Sequence, residues 1–272
     1  MKSKYSYLTC ICAVALCASV VAQTNETTQA VDAVQTTQAV AAVETVQTEQ
    51  PMPEAAKPDK WNFAVSIYGL APAMSGDVTV KGIPASIDVD FDQIWDNLDS
   101  CAMGSARISR GRWTLMADLL YMGLEGTSKR GINVEFEQWL VSGAVGFELS
   151  KHVELLAGLA YNNLHAELSG GPLATNPSGT QEWVDPFVGA DVNLPLTKSL
   201  SLHARGDVGG FGVGSDLTYQ VFPYVSWRFA QWGSLQAGYR WLYADYEDGT
   251  GTSKFSYDVT TQGPQFGITA HF

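Results

Sequence analysis

Gly263-Pro264-Gln265-Phe266-Gly267-Ile268-Thr269-Ala270-His271-Phe272 closes the chain. Pro264, Phe266, Ile268, Ala270 and Phe272 fall on one parity, and Gln265, Gly267, Thr269 and His271 on the other. Successive side chains of a strand point to opposite sides, so this alternation describes a strand with one apolar and one polar face. Chain ends usually fray, and an aromatic would be wasted on a frayed end, so Phe272 is expected to be held in the sheet. A strand of this kind needs partners upstream.

They are present. Trp61–Gly69, Cys101–Ser109, Trp113–Tyr121, Gln138–Glu148 and Val153–Asn162 each alternate in the same way. Val184–Val192, Leu200–Val208, Tyr219–Phe229 and Leu235–Tyr243 continue the series, and Tyr257–Phe272 brings the expected count to ten. Links near residues 110, 151, 198 and 232 are short, whereas those at 72–100, 124–132, 168–182 and 246–256 are longer; the short link near Gly214 departs from this rhythm. On the faces that carry the apolar residues, aromatics gather at the strand ends. Trp61, Trp113, Phe147, Trp227, Phe229 and Phe272 would mark one rim, and Tyr121, Trp139, Tyr161, Tyr219, Trp241 and Tyr243 the other. Aromatic girdles, short turns at one end and longer loops at the other define a membrane barrel, with the short turns periplasmic. A soluble sandwich or lipocalin-like barrel would point its apolar faces inward, but the opposite faces here carry too much Gly, Gln, Asp, Glu and Arg for a solvent-free core.

The predicted architecture is therefore all-β: a closed antiparallel transmembrane β-barrel of ten strands over residues 61–272. Eight or twelve strands stay open, the extra ones coming from Asp77–Phe91. The final strand resembles the closing strand of bacterial outer-membrane barrels, which present a terminal aromatic to the barrel-assembly machinery; Phe266 and Phe272 carry that resemblance.

Composition agrees. The chain is 46% hydrophobic and only 16% charged, with 26 Gly, 8 Trp and 11 Tyr. No run of eighteen apolar residues follows the N-terminus, which excludes a helical membrane protein but not a barrel, where alternate residues face lipid. Met1–Ala22 reads as a cleaved secretory signal, with Lys2 and Lys4 before an apolar Leu8–Ser19. Cys10, Cys12 and Cys17 lie within it, so the exported chain keeps only Cys101 and can form no internal disulfide. Losing two lysines takes the basic residues from 16 to 14 and the net charge from −12 to −14. That acidity argues against nucleic acid as a partner. Residues 23–60 are rich in Thr, Gln and Ala, repeat Thr-Thr-Gln-Ala-Val at 27 and 36, and lack aromatics; a disordered periplasmic tether is expected.

Between the first two strands, Gly76-Asp77-Val78-Thr79-Val80-Lys81-Gly82 and Ile87-Asp88-Val89-Asp90-Phe91 read as a hairpin, and Asp92–Asp99 has helical spacing. With Gly111, Arg112, Trp113 and Asp118, this stretch resembles a widespread family of uncharacterised outer-membrane barrel proteins of Gram-negative bacteria, most clearly over residues 61–125. The resemblance implies the compartment and the barrel, and it brings no reaction.

Three constellations bear on function. Asp88, Asp90 and Asp92, with Asp99, mimic part of a calcium loop, but Gln93 stands where such a loop needs Gly and the first two fall in a strand pattern. A polar strand face is the bland reading, and weak calcium or magnesium binding the sharper one. In the lumen, hairpin arithmetic sets Asp191 opposite Arg205 and Tyr224 opposite Arg240, with His203 and Asp207 on the same face and Arg228 nearby. Charges in a narrow barrel must be paired or wet, giving a salt-bridge layer or a constriction for small polar solutes. His152, His165, His203 and His271 form no recognisable triad; His165 points toward lipid by parity. The expected function is a narrow pore or structural envelope component, without enzyme activity or cofactor. Its partners would be outer-membrane lipid and lipopolysaccharide. The alternatives are an adhesin or a ligand- or cation-binding barrel acting through the acidic 72–100 loop, and a lipid-modifying enzyme using His165 or His203.

Overall fold

The computed structural model describes residues 60–80, 82–127, 132–170 and 178–272. The leader over 1–22 and the tether over 23–60, apart from Lys60, lie outside them. Twelve strands run in chain order: β1 (Trp61–Leu70), β2 (Ala73–Val80), β3 (Ile83–Val89), β4 (Leu98–Arg110), β5 (Trp113–Thr127), β6 (Ile132–Ser150), β7 (Val153–Gly170), β8 (Ser178–Pro195), β9 (Leu200–Gly210), β10 (Leu217–Ala230), β11 (Gly233–Asp248) and β12 (Phe255–His271), with helix α1 (Phe91–Asp96) between β3 and β4. β1 and β4 to β12 form a closed ring of ten antiparallel strands, and β2 and β3 are added outside it. The closure pairs the first strand with the last, from Ala64 opposite His271 to Leu70 opposite Gln265. Phe272 continues it, its N–H donating to the Phe63 carbonyl at 2.9 Å.

Parity holds around the ring. Ile67 on β1 is 70% exposed, and Leu115, Leu159, Val188, Val225 and Ile268 are exposed on their own strands. On β12 the inward Gln265 and Thr269 are buried instead. An exterior of this kind, apolar on every side, would aggregate in water; in lipid it is the favoured surface, and closing the ring removes the open sheet edge that lipid would not tolerate. Cross-strand aromatic pairs mark both rims. Trp113 meets Phe147 at 4.9 Å at the short-turn end, while Tyr121 meets Trp139 at 4.3 Å and Tyr219 meets Tyr243 at 4.9 Å at the other. Among the described residues no helix is long and apolar enough to cross a membrane. The strands do the crossing.

Three details differ from the sequence reading. β6, β7 and β8 run 19, 18 and 18 residues, longer than the roughly 9–11 needed to span a bilayer. Their ladders continue beyond the outer aromatics, through pairs such as Glu125 with Glu135 and Glu167 with Ser178. There the apolar parity inverts, with Leu124, Phe136 and Leu164 packing inward on an apolar cluster and Glu125, Glu135 and Glu167 on the opposite face, and the hydrogen bonding runs on. Second, the helix expected over 92–99 ends at Asp96, because the Asn97 side chain bonds back to the Gln93 carbonyl at 2.7 Å and Leu98 already pairs with Leu124. Third, the hairpin expected within residues 72–100 forms, as β2 and β3, but it is built onto the barrel rather than standing free as a loop. β2 continues along β12 above β1, β3 folds back on β2, and α1 turns Ile94, 2% exposed, into a cluster with Met74, Met122, Trp183 and Tyr257.

Candidate functional site: a partitioned lumen

Inward positions on five strands meet at one level of the barrel. Arg240 of β11, 4% exposed, donates to Asp118 of β5 at 3.1 Å, to the Tyr68 hydroxyl of β1 at 3.1 Å and to Gln220 of β10 at 2.8 Å. The Tyr68 hydroxyl in turn donates to Asp118 at 3.0 Å, and Gln265 of β12 lies 3.5 Å from the guanidinium. A planar guanidinium with five donors can serve several acceptors at once, which suits it to tie walls together across a lumen.

Gln220 also donates to Asp207 at 3.0 Å, and Asp207 accepts from Arg205 at 3.1 Å, so the network continues onto β9. Nearer the short-turn end Arg107 of β4 forms an ion pair with Glu154 of β7. Glu154 stands directly opposite Asp191 of β8, and Asp191 opposite Arg205. Two carboxylates facing each other repel, and the arginines on either side offset that repulsion. His203 bonds to Ser201 at 2.9 Å and stacks on Tyr224 at 4.6 Å.

The expected set is thus distributed as follows. Asp191 and Arg205 are opposite, but the guanidinium of Arg205 bonds to Asp207 on its own strand. Tyr224 is opposite Gly238, not Arg240: the turn is centred between Gln231 and Trp232 rather than on Trp232, which moves the register by one residue, and a bulge between Arg228 and Ala230 moves it by one more. Arg228 sits exposed at the short-turn mouth. Asp88 lies in β3 opposite Ser75, Asp90 precedes α1 and Asp92 lies within it. Among the described residues no group of three or more His, Cys, Asp or Glu is placed to hold a metal ion. His165 is bonded to Thr180 at 2.8 Å, His152 to the Asn193 carbonyl at 2.9 Å and His271 to Ser234 at 2.9 Å. Sequence reasoning missed Tyr68, Arg107, Glu154, Gln220 and Gln265 as members of the network, and Asp118 as the partner of Arg240. All six share the inward parity of their strands, which was the available signal.

The network divides the lumen. Toward the short turns lies a polar vestibule of about 690 Å³, and beyond the network a chamber of about 90 Å³; Arg205, Gln220 and Arg240 line both. Above the chamber Trp183 of β8 stacks on Tyr246 of β11 at 4.2 Å within the apolar cluster. Asp185, 1% exposed, accepts from the Trp183 indole at 2.9 Å, from the Ser215 N–H at 2.6 Å and from the Ser215 hydroxyl at 2.8 Å. This draws the link over 211–216 onto the barrel mouth. It is the short connection near Gly214 that broke the sequence rhythm.

A closed ring with a lipid-facing exterior and a polar, occluded interior defines a transmembrane β-barrel of the outer-membrane type. No protein-family profile matches the chain, and no curated protein matches it. Among solved structures it is similar to the outer membrane protease OmpT from Escherichia coli, at 10% identity and a TM-score of 0.46 over 81% of this chain and 99% of that one. It is also similar to Ail, the attachment invasion locus protein of Yersinia pestis, at 11% identity and 0.38 over 78% and 98%. Neisserial surface protein A gives 14% and 0.33 over 77% and 97%. The class rests on the ring and its exterior, independently of these likenesses.

Proposed function

We propose that the protein is a non-enzymatic structural component of the cell envelope, a barrel whose lumen stays shut. In this reading residues 1–22 direct export, residues 23–60 form a periplasmic tether, and the C-terminal strand serves barrel assembly in a lipopolysaccharide-bearing membrane. The observation that carries it is the double occlusion: the Arg240–Asp118–Tyr68–Gln220 partition lies below the stacked Trp183 and Tyr246. Each barrier blocks the path by itself, and the two in series leave a solute no continuous wet route. The histidines support a non-catalytic role, since His203 and His271 bond to serines on the lumen wall rather than to an orienting carboxylate. Planar-bilayer recording with folded, heat-resistant protein should give no channel events. Steady single-channel conductance would replace the structural role with that of a narrow pore.

A further inference from the structure

The β1–β4 seam of the ring is cut short although both of its strands run on. β1 and β4 pair only from Trp61 with Arg110 to Ile67 with Gly104, although β1 runs on to Leu70 and β4 begins at Leu98. The cause lies in the chain. Pro72 interrupts the strand, and the Ala71 N–H is held by the Pro264 carbonyl at 2.9 Å. The Ala71 carbonyl packs on Gly263, where any Cβ would collide with it. The first strand is thereby drawn along β12 and away from β4. Where a ladder bond to β4 would fall, the Leu70 N–H instead meets the Met103 sulfur at 3.3 Å.

The result is a window in the hydrogen-bond ladder of the barrel wall, bridged by the Met103 side chain. Its sill is the Ile67–Gly104 pair, one outward step below the level of Tyr121, which pairs with Ala102 and belongs to the outer aromatic girdle. α1 lies above it, with Phe91 and Trp95 in contact at 5.7 Å and Trp95 half exposed. Immediately behind the window is the 90 Å³ chamber, whose lining includes Leu70, Pro72 and Met103 of the frame and Leu120, Leu140 and Leu242 of the walls. The chamber floor is the Arg240 network, whose polar groups are already bonded to one another.

We propose that this chamber is a lateral binding site for the end of a lipid acyl chain, reached from the outer leaflet through the β1–β4 window. Water needs polar partners to occupy a cavity; the walls also carry Gln138, Ser142, Asn162, Thr218 and Thr261, but most of the surface they present to the chamber is apolar. At about 30 Å³ per group of water or methylene size, the chamber has room for about three methylenes. Met103 and Met122 can shift to admit more, because the unbranched thioether side chain adapts to irregular space. The window opens at the upper edge of the hydrocarbon layer, where acyl chains are the nearest apolar groups, and the aromatic pair on α1 suits the interface just above.

The test is photo-crosslinking in vesicles of a phospholipid carrying a diazirine at its acyl terminus, with adducts mapped by mass spectrometry. Wild-type protein should label inward residues, Leu70, Met103 or Leu120, as well as outward residues such as Ile67. Met103→Trp or Leu140→Phe, each filling the chamber, should lower the inward adducts at least several-fold and leave those at Ile67 unchanged. Heat-modified migration confirms that each variant is folded, and the second serves should the first misfold. Adducts confined to outward side chains, or inward adducts undiminished in both folded variants, would overturn the proposal.

Discussion

The guanidinium of Arg240 lies 3.1 Å from the carboxylate of Asp118, a residue 122 positions earlier in the chain, and joins β11 to β5 across the lumen. Both groups are largely withdrawn from solvent, and a buried pair broken on one side leaves an uncompensated charge. Asp118→Ala should therefore destabilise the barrel by about 3–5 kcal/mol. Asp118→Ala with Arg240→Met, which removes both charges, should recover most of that loss. Urea unfolding in lipid vesicles, followed by Trp fluorescence, measures both. A double variant no more stable than the single one would show that Arg240 is satisfied without Asp118, through Tyr68, Gln220 and Gln265.

If the two occlusions act in series, removing one leaves the other in place. Arg240→Ala opens the partition but keeps Trp183 stacked on Tyr246, so it should remain silent in planar bilayers. Trp183→Ala alone should also remain silent, because the Arg240 network persists. The combination should produce events. Conductance from Arg240→Ala alone would show that the aromatic stack does not seal the mouth.

The ring was legible in the sequence for a physical reason. Lipid enforces alternation on each strand that crosses it, so the outward residues of Trp61–Ile67 and Phe266–Phe272 declare their face without reference to any partner. The lumen obeys no such local rule. Parity says that Asp118 and Arg240 both point inward, but which walls meet across the barrel depends on stagger and curvature, which accumulate over all ten ring strands. A turn centred ahead of Trp232 and one bulge near Arg228 together move Tyr224 two residues along, off Arg240 and onto Gly238. The window was equally hidden: Pro72 signals a break, but only the fold shows that Gly263 is the surface over which the broken strand passes. By parity Asp185 is one more inward carboxylate, and its role in holding the link over 211–216 rests on a contact 30 residues away.

That contact can be tested locally. Asp185→Ala leaves the Ser215 N–H and hydroxyl and the Trp183 indole without their acceptor. Each unsatisfied buried group costs about 1–3 kcal/mol. The effect should fall on the link first, since it carries no ladder of its own. Chymotrypsin cleavage after the exposed Phe211 should accelerate by roughly tenfold or more, following the population of the opened link. The barrel itself should stay heat-resistant on gels. An unchanged cleavage rate would mean that the link is held by other contacts.

Passage over Gly263 should be equally sensitive. A Cβ there would collide with the Ala71 carbonyl oxygen, and Pro72 also crowds the position. Backbone cannot swing aside as a flexible side chain can, so Gly263→Ala should cost about 1–3 kcal/mol by overpacking. Gly69→Ala is the matched control, because nothing lies within 4 Å of a Cβ at that position. Equal unfolding midpoints for the two variants would show that β1 reaches β2 without crossing close over Gly263.

The lipid-facing assignment predicts a dependence on depth. On β5, Ala117 lies midway between Trp113 at the short-turn rim and Tyr121 in the outer girdle, on the same outward face. Glu125 lies beyond that girdle and pairs with Glu135. An arginine facing the middle of the bilayer costs about 2–4 kcal/mol, and one near the interface about 0–1. Ala117→Arg should therefore lower the stability of the barrel in vesicles by the larger amount, and Glu125→Arg should leave it nearly unchanged. A barrel surrounded by water would tolerate an exposed arginine equally well at both positions. Unfolding of the two variants in vesicles of one lipid composition separates the cases, and equal stability would remove the bilayer from around β5.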